Sequence, residues 1–422
     1  METDSLPNKF LQYRNLCWIG GAIATILLCL YGLSIGRESF HHAYLIGFLF
    51  VLAPTLGSMA LLGVVHMTTG RWGFCIQRVL EAAMNNMIWV ALMFVPIILI
   101  SMNTLYGEWI NIPSMEMDHN AHEIISKKTI WLNKEFFIFR AIFYFATWIW
   151  TVRLYTKWSL RQDETGDLKC RRKLKFIAGP ATLAYGLTMS FAMFDWVMSM
   201  EPIWFSSIFG VIFLVEHGLF TLSFCILMVT WLSKYAPMNQ VLDKNQLHNL
   251  GKLLFAFVIL WGYINVSQFV IIWAANLPEE NTWYINRSFG FFFGLTIFLL
   301  AFQFFVPFVS MLNRHIKREL PVIRLVAIWI IFMRVVDLMW LILPSRFPAT
   351  THNAMVEAGL RNDDLIELSF GTYGFGGIFL AVVGLGLIWL GCFFNNFRKH
   401  PILPIKDPVF SPHWNQPEEV QS

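Results

Sequence analysis

Few ionisable side chains interrupt the apolar runs of this sequence, and those that do are of kinds that accept, donate or hold protons. Asp195 and Glu201 lie in FDWVMSMEPIW (194–204), Glu216 and His217 are neighbours in FLVEHGLF, and Arg334 and Asp337 stand three apart in FMRVVDLMW. Arg140 interrupts FFIFRAIFYF, and His66 and Glu81 flank the stretch beginning TGRWGF. An ionised group at the centre of a bilayer costs about 2.5–3.5 kcal/mol even on insertion-based scales, so each needs water, a partner or a task.

The spacing says what each can do. Asp195 ends a long apolar run, where a carboxylate can accept a hydrogen bond from a hydroxyl and then its proton. Arg140 is its candidate partner, and a tight ion pair would make the acid a structural staple instead. Glu201 falls in the following turn and is expected to be solvated. Glu216 is expected about 18 Å inside its span, near mid-bilayer and with no basic residue one turn away. A carboxyl so placed is neutral at rest and ionises transiently, as a proton relay requires. His217 projects about 100° from it and must face another neighbour. Arg334 and Asp337 share a helix face and form either a self-satisfied pair or, if Asp337 meets Glu216 or His217, part of that relay. Asn265 and Gln268 share a face of their own and suit interhelical hydrogen bonds. His66 and Glu81 are the candidate proton inlet at the other surface. The loop MEMDHNAHE holds His119 and His122 three apart behind Met115 and Met117, a weak copper or zinc signal better read as a contact surface for a partner.

The elements that must carry these residues are membrane helices. Of 422 residues 56% are hydrophobic and 14% charged, with a mean hydropathy of +0.55, whereas soluble domains are about a quarter charged. Six scattered cysteines without a C-x-x-C pair argue against an iron–sulfur or zinc site in the chain. Two histidines at different depths, His66 and His217, disfavour haem. Nothing supports nucleic-acid binding. The first residues are too polar and acidic for a signal peptide, so the first span is expected to be retained. Windows of about 20 apolar residues fall at 16–34, 43–67, 73–101, 133–158, 174–198, 205–232, 247–274, 284–312, 322–343 and 372–394.

Ten spans put both termini on one face, with roughly 21 of the 31 Lys and Arg against roughly 7 opposite. The basic face, led by RQDETGDLKCRRKLK, is therefore expected to be cytoplasmic, and Asp195 and Glu201 to face the periplasm. Arg140 and Arg287 each lie about a turn and a half inside spans four and eight. DWVMSMEP and DLMWLILP place Asp195 and Asp337 alike before a proline. Spans two to five and six to nine thus read as two parallel four-helix bundles. The expected organisation is 1–42 with a peripheral helix, bundles at 43–204 and 205–344, a periplasmic loop and peripheral helix at 345–394, and an extended cytoplasmic tail at 395–422.

These features, with FDWVMSMEPIWFSSIFGVIF and SQFVIIWAANLPEENTWYINR, resemble the NrfD/PsrC-type membrane subunits of quinone-linked oxidoreductases. Within them the chain is most similar to the second NrfD-like subunit of bacterial alternative complex III. The resemblance covers about residues 16–394; its most specific parts are the turns at Asp195–Phe205 and Asn276–Glu280. It implies a multi-pass subunit of the bacterial inner membrane with no haem or cluster of its own, acting in a quinol:cytochrome c oxidoreductase. Quinol or menaquinol would be the substrate. Partners would be membrane lipids, a paralogous NrfD-like subunit, a periplasmic iron–sulfur subunit, a multihaem c-type cytochrome, and cytochrome c or a terminal oxidase. The resemblance places quinol chemistry more readily in the paralogue and leaves proton conduction or assembly to this subunit. A secondary transporter and a non-catalytic scaffold are the competing readings.

Overall fold

The computed structural model describes residues 5–34, 37–68, 70–111, 119–288, 290–346, 374–404 and 406–407. Ten helices are long and apolar enough to cross a membrane, and no strand occurs among the described residues, so this is an all-α multi-pass membrane protein. In order they are α1 (Ser5–Ser34), α2 (Arg37–Met67), α3 (Arg71–Leu105), α4 (Lys134–Thr165) and α5 (Leu168–Trp196), then α6 (Phe209–Leu232), α7 (Lys244–Ala275), α8 (Gly290–Leu312), α9 (Leu320–Ile342) and α10 (Phe375–Phe397).

Several helices outrun their apolar windows because polar caps, invisible to hydropathy, define their ends. Asn133, Asp167 and Asp243 each accept a backbone N–H of the first turn, at 2.9, 2.8 and 2.6 Å, satisfying donors that have no intrahelical acceptor. Gly166 and Asn276 close α4 and α7 in the left-handed region, with φ of 67° and 50°.

Two spans are irregular. In α3 the helix turns at Asn85 and Asn86 and widens to a π segment at Ile97–Ser101. The break is stitched to its neighbours: Asn86 Nδ2 donates to the Trp389 carbonyl at 3.0 Å, and Thr156 Oγ1 to Asn85 Oδ1 at 3.1 Å. The π segment of α8, Leu300–Phe305, contains Gln303, whose carbonyl would meet the ring of Pro307 in a regular helix.

α2 and α6 form the centre, each with 83% of its most apolar window buried. They cross so closely that a Cβ on Gly57 would stand 2.5 Å from the His217 carbonyl oxygen, so only glycine fits. α3, α4 and α5 gather on the α2 side, α7, α8 and α9 on the α6 side, and α1 and α10 pack on each other and on α2. Outward-facing Leu33, Leu99, Phe176 and Trp273 are at least 70% exposed, as a lipid-solvated surface allows and a water-solvated one does not.

The start of α1 meets the end of α10, and the segment after α10 meets the junction of α4 and α5. Arg14 Nη1 bonds Asn395 at 3.3 Å, Lys406 Nζ bonds the Glu164 carbonyl at 3.2 Å, and Arg171 holds Asp407 at 2.6 Å. This is the basic face; the opposite, acidic face carries Glu108, Glu201 and Arg287. The start of the tail, expected to be extended, is docked, with Leu403 and Asp407 buried. Residues 408–422 and 347–373, the latter holding the expected periplasmic loop, lie outside the described residues.

Candidate functional site

At the acidic end of the first half, α4 and α5 bring Arg140 onto Asp195. The guanidinium grips the carboxylate with Nε to Oδ2 and Nη2 to Oδ1, both at 2.8 Å. Tyr144 O–H donates to Oδ2 at 2.8 Å and Trp131 Nε1–H to Oδ1 at 2.9 Å. Arg140 also donates to the Trp131 carbonyl and lies 4.2 and 4.4 Å from the rings of Trp131 and Phe136. Each carboxylate oxygen thus accepts two hydrogen bonds, one acid faces one base, and Asp195 is 1% exposed. Such a pair is balanced in charge and saturated in hydrogen bonds, which ties α4 to α5.

The second half does not repeat this arrangement. Arg287, the sequence counterpart of Arg140, lies in the turn after a short helix (Pro278–Ile285) and before α8, not inside a span as its sequence position suggests. It donates to the carbonyls of Trp283, Trp340 and Leu341 at 2.8–3.1 Å and pairs with Glu201 at 3.3 Å. Its cation lies 3.2 Å from the Trp283 ring centroid. Glu201 is therefore a largely covered ion-pair partner with a 13% exposed side chain, not the solvated turn acid expected of it. Burial pushes its carboxyl above the ordinary range despite Arg287, and lowers Arg287 to about 10. Glu108, which the sequence reading passed over, is raised to about 7 by burial and by the charge of Glu201.

Asp337, the counterpart of Asp195, turns to Arg334 on its own helix. Arg334 Nη1 contacts Asp337 Oδ2 at 2.5 Å and also Glu216 Oε2 of α6. Glu216 is thus not the lone acid expected from its own helix: its base comes from α9. Nor is it central. It lies about 10 Å from the start of α6 at Phe209, and Asp337 about 8 Å from the end of α9 at Ile342, so both sit in the half nearer the acidic face. Two carboxyls share one guanidinium in a site where all three residues are at most 2% exposed. Glu216 Oε1 and Arg334 Nε and Nη2 have no partner among the described residues. His217 points elsewhere, as its 100° offset requires: Nδ1 meets Tyr185 O–H of α5 at 3.2 Å, and Nε2 has no partner there.

From His217 toward the basic face, further buried polar atoms have no partner among the described residues: Ser58 Oγ, Thr182 Oγ1, Tyr155 O–H and His66 Nε2. Thr182 and Tyr155 converge at Gly63, where a Cβ would stand 3.1 Å from the Tyr155 hydroxyl, and the His66 and Tyr155 rings are 5.7 Å apart. Glu81 follows, held by Arg78, by Ser159 O–H at 2.6 Å and by Gln77 at 2.9 Å; Arg78 also pairs with Asp163. Glu81 and Ser159 border a cavity of about 180 Å³ at the basic face. Asn265 bonds the Trp261 carbonyl of its own helix at 2.9 Å.

Trp131, Tyr144, Tyr185 and Asp163, the last near the end of α4, were missed because aromatic residues and a single acid in a polar helix end carry no spacing signal; only their neighbours across helices give them roles. The proposed metal loop, with Met115, Met117, Asp118 and the side chain of His119, lies outside the described residues. No family model and no curated protein matches the chain.

Proposed function

We propose that this chain is the proton-handling membrane subunit of a bacterial quinol:cytochrome c, or quinol:acceptor, oxidoreductase of the alternative complex III type, with its basic face cytoplasmic. The observation that carries the reading is the Glu216–Arg334–Asp337 cluster, two buried acids on one base. Electroneutrality in such a site is reached when one proton is shared by the two carboxyls, and a shared proton is one that can be passed on. His217 and Tyr185, then Thr182, Tyr155 and His66, form a line of buried polar groups from α6 to Glu81. Buried polar atoms without protein partners are the usual seats of ordered water, which conducts protons between them. The Asp195 turn and the N-L-P-E-E turn support the assignment to a quinol-linked complex. In it, Arg140 and Asp195 fix α4 to α5 while the second half manages the protons released by quinol oxidation. Haem c, iron–sulfur clusters and the electron route belong to partner subunits.

The transporter reading draws on the interruptions in α3 and α8. These spans are not counterparts in the repeat, whereas broken helices of inverted-repeat transporters fall at corresponding positions.

The test is to purify the tagged chain from its native membrane in mild detergent and record subunits, haem spectrum and quinol-dependent cytochrome c reduction together. Co-purifying c-type haem and iron–sulfur subunits with that activity is the expected result. A haem-free, solitary chain without activity overturns the reading and favours the transporter.

A further inference from the structure

In the second half a cleft of about 460 Å³ opens between α7, α8 and α9. Its mouth opens among lipid-facing side chains, with Val266, Phe293 and Phe305 each about half exposed. Its inner wall is different. Asp337, 2% exposed, borders the cleft and is the same acid that shares Arg334 with Glu216. Beside it Trp261 lines the cleft, 6% exposed, with an indole N–H that has no acceptor among the described residues. Leaving a buried donor unpaired costs about 1–3 kcal/mol, so this N–H marks a place where an acceptor belongs. Trp340 and Phe304 supply flat apolar walls.

These features specify an occupant. An acyl chain would fill the mouth but leave the Trp261 N–H unpaired. A phospholipid head would bring its phosphate toward Asp337, and the cation that lines the cleft, Arg287, is already committed to three carbonyls and Glu201. A flat, uncharged ring with one oxygen to accept from Trp261, one hydroxyl to donate toward Asp337, and an apolar tail leaving between α7 and α8 satisfies every group.

We infer that the α7–α9 cleft is a lateral, lipid-accessible binding site for the ring of a lipophilic quinol or quinone, with Trp261 and Asp337 as its polar anchors. The inference rests on the quinol-linked reading above but places the ligand in the second half, away from the Asp195 site that the sequence suggested. Asp337 then joins the site directly to the buried acid cluster.

The test is photolabelling of the intact, natively purified complex with a short-tailed azidoquinone, followed by peptide mapping. Expected is label on the α7 or α8 segments bordering the cleft, displaced by unlabelled decylquinol but not by phospholipid. Trp261→Phe should weaken displacement by about five- to tenfold, and Val266→Trp, which fills the mouth, should abolish the label. Competable label near Asp195 or on another subunit overturns the inference while the quinol-linked reading stands. Displacement by phospholipid as readily as by quinol shows an acyl-chain groove and also overturns it. No competable label on any subunit overturns both.

Discussion

The two halves of the molecule place an arginine and an aspartate at matching sequence positions and use them in opposite ways. In the first, Arg140 crosses from α4 to α5 and saturates Asp195 together with Tyr144 and Trp131. In the second, Arg287 is diverted to Glu201 and backbone carbonyls, and Asp337 shares Arg334 with Glu216. The helix start explains the divergence: α4 runs through Arg140, whereas α8 begins at Gly290, after Arg287. At these matching positions, therefore, one half holds a balanced ion pair and the other a base shared by two acids. The first geometry gives both carboxylate oxygens two partners, and the second leaves Glu216 Oε1 without one among the described residues.

The largest effect should come from removing the base that the two acids of the second half share. Arg334→Met leaves two acids buried without a cation and should destabilise the purified complex by about 3–5 kcal/mol in thermal unfolding. Adding Glu216→Gln and Asp337→Asn to it should recover most of that loss. Failure of this rescue would mean that the cluster is not electrostatically coupled.

Breaking the balanced half should come next. Arg140→Met or Asp195→Asn alone should each lower stability by a few kcal/mol, while their combination costs less than the sum. Variants that still assemble should keep proton-coupled turnover. Loss of coupling in an assembled, stable Asp195→Asn complex would remove the contrast between the halves.

Glu216→Gln should show the reverse pattern. It takes away the surplus charge, so stability should hold or rise, while quinol-driven proton release falls tenfold or more, as expected for a lost acid–base group.

The smallest effect concerns Glu108. Its folded carboxyl keeps a proton to about pH 7, against 4.5 for the ordinary group. Between these values the unfolded chain has shed a proton that the folded chain retains, so stability falls as pH rises through the window and levels off above it. Glu108→Gln should flatten that slope in unfolding curves measured from pH 5 to 8.

The helical architecture was legible in the sequence because hydropathy over 20 residues is a long-range average that one or two charges do not spoil. The Arg140–Asp195 pairing was legible as a possibility for a related reason: both residues interrupt spans near the same face. The partners of Glu201 and Glu216 were not. Arg287 reaches Glu201 only because its helix starts late, and Arg334 reaches Glu216 because α6 packs on α9; neither a late start nor a packing partner leaves a mark in local spacing. Depth failed for the same reason, since α6 begins at Phe209 rather than Phe205. The polar line through Ser58, Thr182 and Tyr155 was legible only at its ends, His217 on one side and His66 and Glu81 on the other, because lone hydroxyls in apolar helices mostly bond their own backbone.

The most direct test of the contrast is infrared difference spectroscopy of the purified complex on quinol addition, comparing native protein with Glu216→Gln, Asp337→Asn and Asp195→Asn. The account predicts a protonated buried carboxyl band that is lost or shifted in the first two variants and unchanged in the third. A band that survives in Glu216→Gln and Asp337→Asn, or disappears in Asp195→Asn, would contradict it.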